Sequence, residues 1–87
     1  MTDIVQKIEV LIDQLEAAAP ARESLEWYLL NNLRDYRRTL QSGSSPLEIG
    51  NATRALVRFC TESMDWSSPL YKSCMEITAL GGKLAKS

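Results

Sequence analysis

The stretch LRDYRRTLQSGSSPLEIG, Leu33 to Gly50, holds the end of one helix, a turn and the start of the next. Leu33, Tyr36 and Leu40 recur at spacings of three and four, which lines them up on one side of a helix. Gly43 can adopt the left-handed conformation that closes a helix, and Ser44 and Ser45 continue the turn. Ser45-Pro46-Leu47-Glu48 is then a start signal. Serine caps, proline fits the first helical position, and a glutamate three residues after the serine closes a capping box.

Working back from this turn, Leu25 and Leu29 extend the same seam and predict a helix over about 21–42. At 100° per residue, Trp27, Asn31, Arg34 and Arg38 fall nearly opposite the seam, so Trp27 is expected to be more exposed than most tryptophans. Pro20 ends an earlier segment, because proline disfavours helical geometry in the residue before it. That segment, about 3–19, places Ile4, Ile8, Leu11 and Leu15 on one side, widened by Val5 and Ile12. Glu9, Asp13 and Glu16 form an acidic strip on the other.

Working forward, Ile49, Ala52, Leu56, Phe59 and Cys60 face inward along a helix over about 46–63, with Asn51, Arg54, Arg58 and Glu62 outward. Ser68-Pro69 repeats the start signal for a last helix over about 69–80. Leu70, Cys74, Ile77 and Gly81 line its inner side, with Lys72 and Glu76 outside. The pair Gly81-Gly82 is read as a cap, although Gly81 on the apolar stripe also suits a close approach of two helices. No stretch alternates with the period of two that marks a half-buried strand. The expectation is one all-α domain over residues 1–87, a four-helix antiparallel bundle or an orthogonal four-helix array.

Composition narrows the function. Ten basic residues against eleven acidic ones give no basic excess for phosphate contacts, so a nucleic-acid partner is not expected. No apolar run approaches membrane-spanning length, and the start MTDIVQKIEV lacks the basic and apolar segments of a signal peptide. A cytoplasmic protein with no membrane partner follows as the expectation, with Cys60 and Cys74 reduced and packed as small hydrophobes. Histidine is absent, which removes the commonest general base and metal ligand. No nucleotide-binding, metalloprotease or hydrolase motif is present, and no helix carries an inward pair of carboxylates. The chain is therefore read as no enzyme, without a metal or cofactor.

Trp66, between Asp65 and Ser67-Ser68-Pro69, is the residue that composition does not explain. A large aromatic in a turn either seals the end of a core or is held out to a partner. Sealing is the favoured reading, because tryptophans commonly close small cores, and the two roles can share one half-buried indole. The group Arg34, Arg37 and Arg38 reads as solvated helix surface, since Asp35 interrupts it.

The second helix ending LRDYRRTLQSGSS, the third ending RALVRFCTES, a short acid-bearing turn, and SPLYKSCMEI closed by ALGG together carry a resemblance over Glu23 to Gly82. The chain resembles the small all-helical bacterial immunity proteins that neutralise type VI secretion effectors, in particular those that neutralise an NAD(P)+ glycohydrolase effector. The resemblance implies a protein that makes no bonds itself and occupies the active site of a cognate toxin domain.

The residues of this sequence suit that role. A cleft that handles a dinucleotide attracts phosphate and is often basic, so an inhibitor gains specificity and association rate from an acidic surface. Glu62 and Asp65 with Trp66 and Tyr71 around the last turn are the first candidates for toxin contact, and Glu9, Asp13 and Glu16 the second. The alternative is a helical adaptor or dimerising regulatory module using the Trp27, Arg34 and Arg38 face, which makes a homodimer possible.

Overall fold

Four helices run in succession: α1 (Thr2–Ala17), α2 (Leu25–Gln41), α3 (Pro46–Ser63) and α4 (Pro69–Ala85). The computed structural model describes residues 2–85, and among them there is no strand. The fold is all-α, in a four-helix arrangement. Each helix packs on its sequence neighbours, and α1 closes the ring against α4. Helices of 16–18 residues are about 24–27 Å long. They lie roughly along the 36 Å long axis of a molecule only 22 by 20 Å across, which is the shape of an antiparallel bundle and not of an orthogonal array. The α1–α2 and α3–α4 turns consequently share one end of the bundle.

The start signals act as local chemistry requires. Ser45 Oγ accepts the Glu48 amide at 3.3 Å while the Glu48 carboxylate accepts the Ser45 amide at 3.5 Å, closing the capping box. Ser68 Oγ accepts the Tyr71 amide at 3.1 Å ahead of Pro69. Helix α2 begins at Leu25, later than the sequence pattern suggests, because residues 21–24 form a separate turn in which the Ser24 amide bonds the Ala21 carbonyl. Ser24 then caps α2 through the Trp27 amide. This connection contains two non-glycine residues in the left-handed region, Ala19 (φ 47°) and Glu23 (φ 67°). Gly43, at φ 74°, closes α2 as its sequence position implies.

The core follows the seams. Ile4, Ile8, Leu11, Ile12 and Leu15 from α1 meet Leu29, Leu30, Leu33, Tyr36 and Leu40 from α2, with Ile49, Leu56 and Cys60 from α3 and Cys74 and Ile77 from α4. Leu30 and Thr53 are buried although neither lies on the expected apolar stripe, and Phe59 and Ala52 are only half-buried.

Gly81 does not cap α4. The helix runs on through Gly81-Gly82 to Ala85, and Gly81 is buried against Tyr36 and Thr53. A Cβ built there would lie 1.8 Å from the Tyr36 hydroxyl oxygen and 2.8 Å from Thr53 Oγ1. The cap reading fails because the bundle uses the missing side chain as space for a tyrosine. Thr53 Oγ1 donates to the Ile49 carbonyl at 2.7 Å, so the Tyr36 hydroxyl, 2.7 Å away, is the donor to Thr53. Every polar atom in this buried relay has a partner. Burial raises the Tyr36 pKa, with the Thr53 hydrogen bond opposing.

Gly81→Ala is expected to destabilise the fold by about 2–3 kcal/mol and Tyr36→Phe by about 1 kcal/mol, read from urea unfolding midpoints. In the Tyr36→Phe background the cost of Gly81→Ala should fall by at least about 0.5 kcal/mol, because the nearest obstructing atom has gone. Additive costs would show that the hydroxyl is not what excludes a side chain at 81. In the α1–α2 connection, Ala19→Gly is expected to stabilise by about 0.5 kcal/mol, with relief of left-handed strain exceeding the added freedom of the unfolded chain. Ala79→Gly, exposed inside α4, should destabilise by about 1 kcal/mol.

Candidate functional site: the α3–α4 corner

The α3–α4 turn sends one large side chain in and one out. Met64, the C-cap of α3, is the inward one, 7% exposed and part of the core. Trp66 is 64% exposed, so the expectation that it seals the bundle is not met. The turn is short, and once Met64 fills the end of the core the residue two places on is carried to the outside.

Trp66 is nonetheless held in place. Its indole N–H donates to the Thr61 carbonyl at 3.0 Å, a group in the last turn of α3 that has no partner further along the helix. Its ring stacks on Tyr71, with centroids 6.3 Å apart and planes 21° from parallel. The one polar atom of the indole is therefore satisfied internally, and what the residue offers outward is a bare aromatic face.

Asp65 shapes the same turn. Its Oδ1 accepts the Ser67 amide at 2.9 Å and the Ser67 hydroxyl at 2.8 Å, while its carbonyl accepts the Ser68 amide and hydroxyl. The Ser67 amide, then the Ser67 hydroxyl, hold the Asp65 carboxyl below the ordinary carboxylate range, so it carries its charge throughout the neutral region. Glu62, exposed one helical turn earlier, accepts from Arg58 Nε at 3.3 Å. The structure thus gathers Glu62, Asp65, Trp66 and Tyr71 around one corner.

The acidic strip of α1 is arranged differently. Asp13 is exposed and Glu9 half-buried, whereas Glu16 is bound to Arg34 of α2 by a short ion pair. This pair joins a residue of the candidate acidic surface to one of the alternative interface. Arg38 in turn lies 3.7 Å from Asp35. Trp27 is half-buried and meets the exposed Tyr28 edge-on, with ring centroids 5.0 Å apart, and Asn31 donates to its carbonyl. The Trp27 face thus has local contacts of its own, while the Arg38 side chain on it stays 80% exposed.

Sequence reasoning missed the open groove of about 490 Å³ between α1 and α4, lined by Val10, Leu11, Gln14 and Ile77. The Lys7–Glu76 ion pair, at 3.7 Å, bridges its wall. Val10, 57% exposed, was the available signal, because it breaks the otherwise polar outer side of α1. Among the described residues, no group of three or more His, Cys, Asp or Glu could hold a metal ion, and no helix is long and apolar enough to cross a membrane.

Compared with known proteins, the chain matches no family model, no curated protein and no solved structure.

Because the Ser67 bonds form only in the folded turn, the Asp65 carboxylate is expected to titrate below the ordinary aspartate value in the native protein, followed by carbon-13 NMR of the side chain. Its folded pKa is depressed, so the stability it contributes is present above the unfolded aspartate value and is lost as pH falls through the folded value. Ser67→Ala should move the midpoint back up while leaving the backbone contribution, and an unchanged midpoint would show that the hydroxyl does not act on Asp65.

Proposed function

We propose that this chain is a non-enzymatic immunity protein that binds a cognate secreted bacterial toxin domain and covers its active site. The observation that supports this reading is the Trp66 corner. A tryptophan that is mostly exposed but fixed by a backbone hydrogen bond and a ring stack is poorly explained by folding alone. It is well suited to binding, because its rotamer freedom is already restricted before a partner arrives. Interfaces draw most of their affinity from a few such anchors, with tryptophan, tyrosine and arginine foremost.

The charges around it favour a basic partner surface. Asp65 is ionised and exposed beside the indole, with Glu62 on the preceding turn of α3. Over residues 1–26, six acids (Asp3, Glu9, Asp13, Glu16, Glu23 and Glu26) stand against Lys7 and Arg22. The C-terminal end of α1 shares an end of the bundle with the α3–α4 turn, so Asp13, Glu16, Glu23 and Glu26 lie towards the end that holds Asp65, while Asp3 and Glu9 lie further along α1. A toxin that acts on a dinucleotide or another phosphorylated substrate presents a cleft of the opposite sign. In this reading Trp66 enters the cleft, Tyr71 supports it, and the carboxylates of Glu62, Asp65, Asp13 and Glu9 steer the approach. Glu16 contributes less, since Arg34 neutralises it.

The test is protection. Co-expression with the toxin encoded by a neighbouring gene is expected to rescue cell growth. Trp66→Ala combined with Asp65→Arg should weaken the complex by roughly 30-fold or more while circular dichroism stays helical. A double variant that folds and still protects fully would remove the corner from the interface.

A further inference from the structure

We propose that Cys60 and Cys74 form a reversible dithiol–disulfide site inside the α3–α4 hairpin, with a small-molecule disulfide as its oxidant. This does not depend on the immunity reading. Both cysteines are free, and neither side chain is exposed to solvent. Cys60 precedes the end of α3 by three residues and Cys74 follows the start of α4 by five. At 1.5 Å per residue they sit about 5 Å and 8 Å below the turn, at nearly the same level of two adjacent antiparallel helices. Both side chains are buried in the one core cluster, close enough for each thiol to shift the ionisation of the other.

Cys60, then burial, raises the Cys74 thiol, while Cys74 lowers Cys60 with burial opposing. In the opened hairpin one of the two thiolates attacks one sulfur of oxidised glutathione, which breaks that disulfide and releases one glutathione thiolate. The other cysteine then loses its proton and attacks the protein sulfur of the mixed disulfide, expelling the second glutathione. The two cysteines give up two protons and two electrons, and one glutathione disulfide becomes two thiols.

Closure would join the helices around residues 60–74. That loop contains Glu62, Met64, Asp65, Trp66 and Tyr71, which make up the whole candidate corner. Oxidation would therefore fix the turn from which Trp66 projects, by removing the opening motions of the hairpin beneath it. Because both sulfurs are covered, the oxidant gains access through those opening motions, and the reaction runs at the rate of local unfolding.

The experiment uses the purified full chain, without denaturant, incubated with oxidised glutathione until the core amides of α3 and α4 have exchanged with deuterium in a parallel sample. The expected product is a monomer lighter by about 2 Da with no thiol titratable after denaturation. Its thermal midpoint should be higher by roughly 10 °C, as closure of a loop of this length gives. Dithiothreitol should restore both thiols and the original midpoint. Cys60→Ala and Cys74→Ala should each lack the mass loss. A stable glutathione adduct, a cross-linked dimer, or two thiols still free at the end of the incubation would each overturn the proposal.

Discussion

The bundle is organised around a tyrosine hydroxyl placed where a side chain on the facing helix would otherwise be. Tyr36 extends from α2 across the core to Gly81 of α4, and its hydroxyl is satisfied by Thr53 of α3, which in turn donates a hydrogen bond to the Ile49 carbonyl. Three helices are tied at one point. In a domain this small the aliphatic residues alone permit several rotations and sliding registers of similar energy, because hydrophobic contact is not directional. A buried polar relay is different, since each donor left unpaired costs about 1–3 kcal/mol. Only the register that brings residues 36, 53 and 81 together keeps the hydroxyl bonded and avoids the clash, so this contact selects one packing among many.

At the opposite end of the hairpin the constraint is one of volume. Met64 fills the end of the core and leaves no room there for an indole, so Trp66 turns outward. It lands on Tyr71 and on the Thr61 carbonyl, and becomes a fixed surface feature. Below it, Cys60 and Cys74 bring two sulfurs together between the same helices. The buried cysteine pair and the outward aromatic are thus consequences of how α3 and α4 pack.

Charge is distributed less evenly than the near-neutral total suggests. The first quarter of the chain is acidic, and the arginines cluster on α2 and α3. Glu16 and Arg34 meet across the boundary between these regions, and this exposed pair adds little to stability. Its effect is on the surface. It withdraws one carboxylate and one guanidinium from what a partner encounters, leaving Asp13 and the Asp65 turn as accessible negative sites towards the end of the bundle that holds the α1–α2 and α3–α4 turns.

The amino-acid order by itself determined the four helices, the capping serines of α3 and α4 and most of the buried stripe, because these depend on periodicity and on hydrogen bonds within three or four residues. Ser45-Pro46-Leu47-Glu48 reads the same in sequence and in structure for that reason. The direction of Trp66, the role of Gly81, the burial of Thr53 and the pairing of Glu16 with Arg34 were decided by tertiary structure alone. Each depends on atoms distant in sequence competing for one volume, or finding a partner across it. A glycine pair can end a helix or admit a neighbour, and only the arrival of the Tyr36 hydroxyl between the helices settles which.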